Sequence, residues 1–155
     1  GCEEHWHQDY PYNEISYSSR NNDDFYRLIL AIDDNTRENG GLIFIPGSNK
    51  LGYLEHDDIL SIQHKHKYRL NSDLLDNIYG KYGVQNLDVD SGGAILFDNL
   101  VIHGSSSNQS PKSRTNLVFQ LLNKNKVKQY KINSEKNLLR KKFEKNVISE
   151  ILKNI

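Results

Sequence analysis

Between residues 25 and 122, short apolar runs alternate with turn residues. Phe25-Tyr26-Arg27-Leu28-Ile29-Leu30-Ala31-Ile32 is rich in β-formers and ends at Asp33-Asp34-Asn35. Leu42-Ile43-Phe44-Ile45 starts behind Gly40-Gly41 and is stopped by Pro46-Gly47-Ser48. These two runs read as a hairpin with a polar connection. Val84 to Val89 suits another short strand. Ala94-Ile95-Leu96-Phe97 follows Gly92-Gly93, and Asn99 to His103 comes next. Gly104 opens a Ser/Asn/Pro-rich turn that runs through Ser113, and Thr115 to Leu122 is the final strand. Leu28, Leu30, Leu96 and Phe97 are expected to point inward. Strands at this spacing predict an all-β sandwich or jelly-roll barrel.

Two segments depart from that rhythm. Residues 52–83 hold His56, His64 and His66, several Asp and Lys, and a pattern for a short helix around Ser72 to Tyr79. This stretch reads as a long insertion over the barrel mouth. The tail repeats Leu138, Leu139, Phe143, Val147, Ile148, Ile151 and Leu152 at three- and four-residue spacing behind Ser134. That is an amphipathic helix, expected to pack on the outside of a sheet. The division expected is a core over 1–124 and a linker plus helix over 125–155.

Composition narrows the function classes. Twenty basic residues balance twenty acidic ones, so a polybasic nucleic-acid binder is excluded. No apolar run in the sequence approaches the ~20 residues of a membrane-spanning helix. Mean hydropathy is −0.72. Neither a nucleic acid nor a membrane is expected as a partner, and the setting expected is cytoplasmic. One cysteine, Cys2, leaves no internal disulfide and no Cys-rich zinc site. The 155 residues contain no Met and open in mid-pattern, so the chain is expected to be the C-terminal part of a longer protein.

His7-Gln8-Asp9 places an imidazole and a carboxylate two residues apart, on one side of an extended segment. Alone this spacing is common. His103 changes its weight, because it ends an apolar run beside Gly104, where an imidazole has little packing reason to be. Two His and one carboxylate form the facial ligand set of non-haem Fe(II) oxygenases, which leaves open positions on the metal. Arg114 lies eleven residues after His103, and a hairpin would return it to the same end of the barrel. An Arg there can hold a carboxylate with two parallel hydrogen bonds, which Lys cannot.

With these residues the sequence resembles the phytanoyl-CoA dioxygenase family of Fe(II)/2-oxoglutarate-dependent oxygenases. The matching residues are His7-Gln8-Asp9, Glu38-Asn39-Gly40-Gly41-Leu42 and Ile45-Pro46-Gly47-Ser48-Asn49-Lys50. Gly93-Ala94-Ile95-Leu96-Phe97, His103-Gly104-Ser105, Asn108 and Arg114 complete the pattern, in order, over residues 5–122. The resemblance implies a double-stranded β-helix, jelly-roll or cupin-like, lacking its N-terminal strands and carrying a C-terminal α-helix. It implies His7, Asp9 and His103 as iron ligands. It implies Arg114 as the partner of the distal carboxylate of 2-oxoglutarate, assisted by Ser105. The cofactors implied are Fe(II) and 2-oxoglutarate, with ascorbate admitted as an accessory. The reaction implied is hydroxylation of a small-molecule C–H bond. Halogenation is not expected, since Asp9 fills the position that chloride would need.

The sequence departs from the family pattern at three points. Strands and helices that precede the His-x-Asp motif in other members are not in this chain, and the barrel is expected to be open near the ligands. Ile29 stands where many members carry an aromatic residue. Asn49 replaces the His of a Pro-Gly-Ser-His-Lys stretch, a turn variant. Two alternatives stay open at this point. One is an inert fragment or non-catalytic member of the same fold. The other is a cupin-like isomerase or binding module on another metal, against which Arg114 argues. The lesser candidates are His64-x-His66, read as a solvated loop, and His5, read as supporting or solvent-facing. Tyr10, Tyr12, Tyr17 and Arg20 either line a substrate mouth or cover the barrel. Asp98 and Asn99 read as turn residues.

Overall fold

The structure, a computed structural model, describes residues 3–9, 25–58 and 68–122. The tail helix expected over 134–152, the His64-x-His66 pair, and Tyr10, Tyr12, Tyr17 and Arg20 lie outside the described residues.

Nine strands and one α-helix are described: β1 (Glu4–His7), β2 (Phe25–Ala31), β3 (Leu42–Phe44), β4 (His56–Asp58), β5 (Tyr68–Leu70), α1 (Ser72–Tyr82), β6 (Gln85–Asn86), β7 (Ala94–Asp98), β8 (His103–Ser105) and β9 (Asn116–Leu122). They form a four-stranded sheet in the order β1-β8-β3-β6 and a three-stranded sheet in the order β7-β2-β9. Every pairing is antiparallel. β4 and β5 make a separate two-stranded hairpin. The fold is the mostly-β, two-sheet arrangement expected, with no closed barrel among the described residues. The helix expected around Ser72 to Tyr79 is present and runs to Tyr82. Asn71 caps it by accepting from the Asp73 N–H at 2.9 Å.

Two local expectations are corrected. β2 and β3 are not a hairpin. β2 pairs with β7 and β9, whereas β3 pairs with β8 and β6. The polar stretch between them carries the chain from one sheet to the other. Gly40 turns there at φ +82°, and a Cβ would meet the Ser106 carbonyl oxygen at 2.8 Å. The second correction concerns facing. Ile29, Ile95 and Phe97 join Leu42 and Phe44 in the core between the sheets. Leu28 pairs with Leu96 on the opposite face, and Leu96 is 61% exposed. Of the four residues expected inward, only Phe97 is in the core; the strand phase is shifted by one for the others.

A second apolar cluster lies under α1. Leu75 and Ile78 pack with Ile45, Leu70 and Ile102, and Trp6 borders them. Asp98 works as the turn residue expected. Its Oδ1 accepts from the Leu100 and Val101 N–H groups, and its Oδ2 accepts from Asn49 Nδ2 at 2.6 Å. Asn49 therefore ties the Pro46–Lys50 turn to the strand that leads to His103. No helix among the described residues is long and apolar enough to cross a membrane.

Candidate metal and co-substrate site

β1 and β8 are neighbours, and their register sets His7 opposite His103, with an irregularity between Glu4 and His7. Gly104 permits the close approach. A Cβ on it would lie 2.9 Å from the Glu4 carbonyl oxygen. The two imidazole centroids are 4.4 Å apart. His7 donates through Nδ1 to the His5 carbonyl at 2.6 Å, and His103 through Nδ1 to the Val101 carbonyl at 3.0 Å. Those bonds fix each ring's tautomer and turn each Nε2 inward. His5 takes part here through its backbone carbonyl.

Asp9 completes the cluster. Its Oδ1 is 3.9 Å from His7 Nε2, and its Oδ2 is 3.9 Å from His103 Nε2. The three donor atoms lie within 4.8 Å of one another and all three residues are buried. Donors on one face of an octahedral metal with bonds near 2 Å sit about 3 Å apart. About an ångström of closure would bring this set onto an ion. Phe44 stacks on His103 at 5.6 Å, and Phe97 meets it edge-on at 4.9 Å from the facing sheet. His103 is thus walled by apolar rings. Two imidazole nitrogens and one carboxylate suit Fe(II), and the residues present fit that ion.

The segment between His7 and Asp9 is locked. Gln8 is fully buried. Its Nε2 donates to the Gly52 carbonyl at 2.9 Å and to the Leu100 carbonyl at 2.7 Å, and its Oε1 accepts from the Leu54 N–H at 2.9 Å. The Gln8 backbone N–H donates to His56 Nε2 at 3.0 Å, while His56 Nδ1 donates to the Leu54 carbonyl at 2.8 Å. Burial pushes the His56 pKa down, so its ring stays neutral and can accept. The start of the 52–83 segment therefore holds the ligand motif in place.

Sequence reasoning missed Arg27. It projects from β2 and donates through Nε to Asp9 Oδ2 at 2.8 Å, while its Nη2 lies 2.7 Å from Oδ1. Burial pushes the Asp9 carboxyl pKa up. The charges of His103 and Arg27 and the Arg27 hydrogen bond outweigh that and hold it below the usual carboxylate range. The signal was available: Arg27 is a charge in an apolar run, in phase with the buried Phe25, Ile29 and Ala31.

Ser105 and Arg114 are placed differently from the three donors. Ser105 is buried on β8, two residues beyond His103, and its Oγ has no hydrogen-bond partner among the described residues. Arg114 precedes β9, which pairs with β2 and not with β8. The return from His103 to Arg114 is therefore a crossing between sheets, not the hairpin expected. Its backbone is pinned on both sides. Ser113 Oγ and the Thr115 N–H each donate to Asp33 Oδ2 at 2.8 Å. Asn39 also donates to the Ser113 carbonyl at 3.3 Å. The guanidinium is half-exposed, with Nη1 3.3 Å from the Asn116 amide oxygen when that amide is turned to face it.

The family model for phytanoyl-CoA dioxygenase (PhyH) matches residues 1–116. The chain belongs to the phytanoyl-CoA dioxygenase family. That family comprises Fe(II)/2-oxoglutarate-dependent oxygenases. L-proline trans-4-hydroxylase of Streptomyces griseoviridis is 30% identical over 126 residues, 74% of this chain and 46% of that protein. Ectoine dioxygenase of Halomonas elongata is 29% identical over 96 residues, 58% of this chain and 29% of that protein. The chain thus spans less than half the length of these relatives. Among solved structures, EctD from S. alaskensis in its apo form superposes with a TM-score of 0.60 at 24% identity, covering 77% of this chain and 39% of that one. The same protein with 2-oxoglutarate and 5-hydroxyectoine gives a TM-score of 0.59 at 24% identity, covering 77% and 38%. This likeness establishes the shared fold.

Proposed function

We propose that the protein is a non-haem Fe(II)/2-oxoglutarate-dependent dioxygenase that hydroxylates a C–H bond of a small molecule. The observation that supports it most is the convergence of His7, Asp9 and His103, with both imidazoles oriented by backbone carbonyls. In this reading the three residues hold Fe(II). Arg114 receives the distal carboxylate of 2-oxoglutarate, and the buried Ser105 hydroxyl donates to the same group. Bound iron supplies oxygen activation coupled to oxidative decarboxylation of 2-oxoglutarate to succinate and carbon dioxide. The chain's own contribution is geometry and dryness. Phe44 and Phe97 exclude water beside His103, Gln8 and His56 fix the ligand loop, and Arg27 keeps Asp9 ionised. The relatives named for L-proline and ectoine support a small polar substrate.

Titration of the 155-residue chain with Co(II), followed by 2-oxoglutarate, tests the reading. Metal should bind, and 2-oxoglutarate should bind only after it. Binding of metal that survives His103→Ala would sink the assignment, as would 2-oxoglutarate binding indifferent to metal. Succinate formation with Fe(II) and ascorbate then separates an active enzyme from a non-catalytic member of the family.

A further inference from the structure

Arg27 is the only charge on β2. Its alternation partners on the core side are Phe25, Ile29 and Ala31, all buried, and its own side chain is 21% exposed. A cation there is costly unless paired. Among the described residues, its hydrogen-bond and ion-pair partner is Asp9. Asp9 follows β1, in the opposite sheet, so the pair spans the interior between the sheets. One fork takes both carboxylate oxygens, Nε on Oδ2 at 2.8 Å and Nη2 beside Oδ1 at 2.7 Å.

We propose that Arg27 is a positioning residue that restricts Asp9 to a single-oxygen grip on the metal. The inference rests on the metal assignment above. A carboxylate that chelates an ion with both oxygens presents the edge between them. A guanidinium fork binds that same edge. The two arrangements exclude each other. While the fork is in place, one oxygen of Asp9 can reach the ion by its outer lone pair, and the carboxylate cannot close on it with two. Two imidazoles and one oxygen then leave three of six positions open. Without the fork, Asp9 is free to take a fourth position, which leaves two of six open, enough for a two-point co-substrate and none beyond it. Arg27 is also a cation beside a cation site, so its removal relieves repulsion.

These opposed effects make the role testable. Arg27→Gln and Arg27→Lys are compared with the unchanged chain by Co(II) affinity, Co(II) visible absorption, 2-oxoglutarate affinity and thermal unfolding. In Arg27→Gln, Co(II) should bind as tightly or more tightly, and the absorption bands should change. Arg27→Lys keeps the charge and loses the fork, so it should share the altered bands. Bands identical to the unchanged chain in both variants would overturn the proposal. So would a parallel loss of metal, 2-oxoglutarate and thermal stability, the mark of a merely structural residue. A second measurement avoids variants of Arg27 altogether. The infrared difference spectrum of the unchanged chain, with and without Zn(II) and referenced to Asp9→Asn, reports the splitting of the carboxylate stretches. A one-oxygen splitting is expected, and a two-oxygen splitting would refute it. If the unchanged chain binds no Co(II), the metal assignment falls and this role with it. If it binds Co(II) and the Arg27 results go the other way, only this role falls.

Discussion

The proposed metal donors, His7, Asp9 and His103, and the residues expected to meet the co-substrate, Ser105 and Arg114, differ in how completely they are assembled. At His7, Asp9 and His103 the contacts that orient the side chains are made. Backbone carbonyls orient both imidazoles, Arg27 holds both Asp9 oxygens, and Gln8 spends its side-chain amide on three backbone groups. At Ser105 and Arg114 the backbone is fixed but the side chains have little to hold. The Ser105 hydroxyl is buried with no hydrogen-bond partner among the described residues, and Arg114 Nη1 lies 3.3 Å from the turned Asn116 amide oxygen. A buried hydroxyl left in that state costs free energy. The difference teaches that stability is invested in the donors, whereas the second region is left under-satisfied for a ligand to complete.

Substitutions can break the comparison from either side, and the largest effect is expected among the donors. His103→Ala removes one of the three proposed ligands and the ring that Phe44 and Phe97 contact. Detectable Co(II) binding should disappear, as read by calorimetric titration. Retained affinity would show that the cluster is a packing feature.

Gln8→Leu comes next. Leu fills the space but leaves the Gly52 and Leu100 carbonyls and the Leu54 N–H without their side-chain partner. Buried groups left in that condition cost about 1–3 kcal/mol each, so a loss of about 3 kcal/mol in chemical denaturation is expected. Metal affinity should also fall by about ten- to a hundredfold, the usual range for disturbed outer-shell support. A variant with unchanged stability would mean that the ligand motif is held by β1-β8 pairing alone.

Arg114→Lys probes the other region. Replacing a planar two-point match by one point charge should weaken 2-oxoglutarate by roughly ten- to a hundredfold, about 1.5–3 kcal/mol. Metal affinity should stay as it is, since no hydrogen bond joins Arg114 to the donors among the described residues. Equal 2-oxoglutarate affinity would place Arg114 on the surface and remove it from the site.

How much of this was legible in the sequence follows the range of the interaction. The convergence of His7, Asp9 and His103 was legible because His-x-Asp is a local spacing and His103 ends an apolar run beside Gly104. The strand positions were legible for the same reason, from apolar runs and Gly/Pro punctuation. Partner choice was not. β2 and β3 are both apolar and joined by a polar turn, and nothing local says that the turn changes sheets. Facing was ambiguous on β2 because both of its faces carry large apolar side chains, so Leu28 and Ile29 were interchangeable by composition. Arg27 held the key to the phase: a charge that must be paired marks the side on which its partner lies. Gln8 and His56 form bonds across 48 residues of chain, and no short pattern announces such a contact.

Ser105→Ala should move stability and binding in opposite directions. Removing a buried hydroxyl that has no partner should leave the metal-free chain unchanged or raise its stability by about 1 kcal/mol. The same change removes one expected hydrogen bond to 2-oxoglutarate, worth about 0.5–1.5 kcal/mol, and should weaken it by roughly two- to tenfold. A destabilised Ser105→Ala variant would show that the hydroxyl is already satisfied, and the contrast between the two regions would shrink.

The smallest effect expected is a pH slope set by His56. Its folded pKa lies below the ordinary 6.5 because burial disfavours the imidazolium, only partly offset by the Leu54 carbonyl and Asp57. The unfolded chain therefore takes up this proton first as the pH falls. The stability contributed by the neutral ring is complete above pH 6.5, declines as the pH drops through that value, and is gone below the folded pKa. The structural reason is specific. A doubly protonated ring has no lone pair for the Gln8 N–H, so the hold on the loop between His7 and Asp9 is lost with the second proton. His56→Gln can still accept from Gln8 through its amide oxygen and does not titrate. Denaturation midpoints of the metal-free chain, followed from pH 7.5 downward, should fall more steeply for the unchanged chain than for His56→Gln. Parallel curves would mean that the remaining histidines and the carboxylates set the whole slope and that His56 is held by stacking on Tyr53 without a proton-sensitive bond.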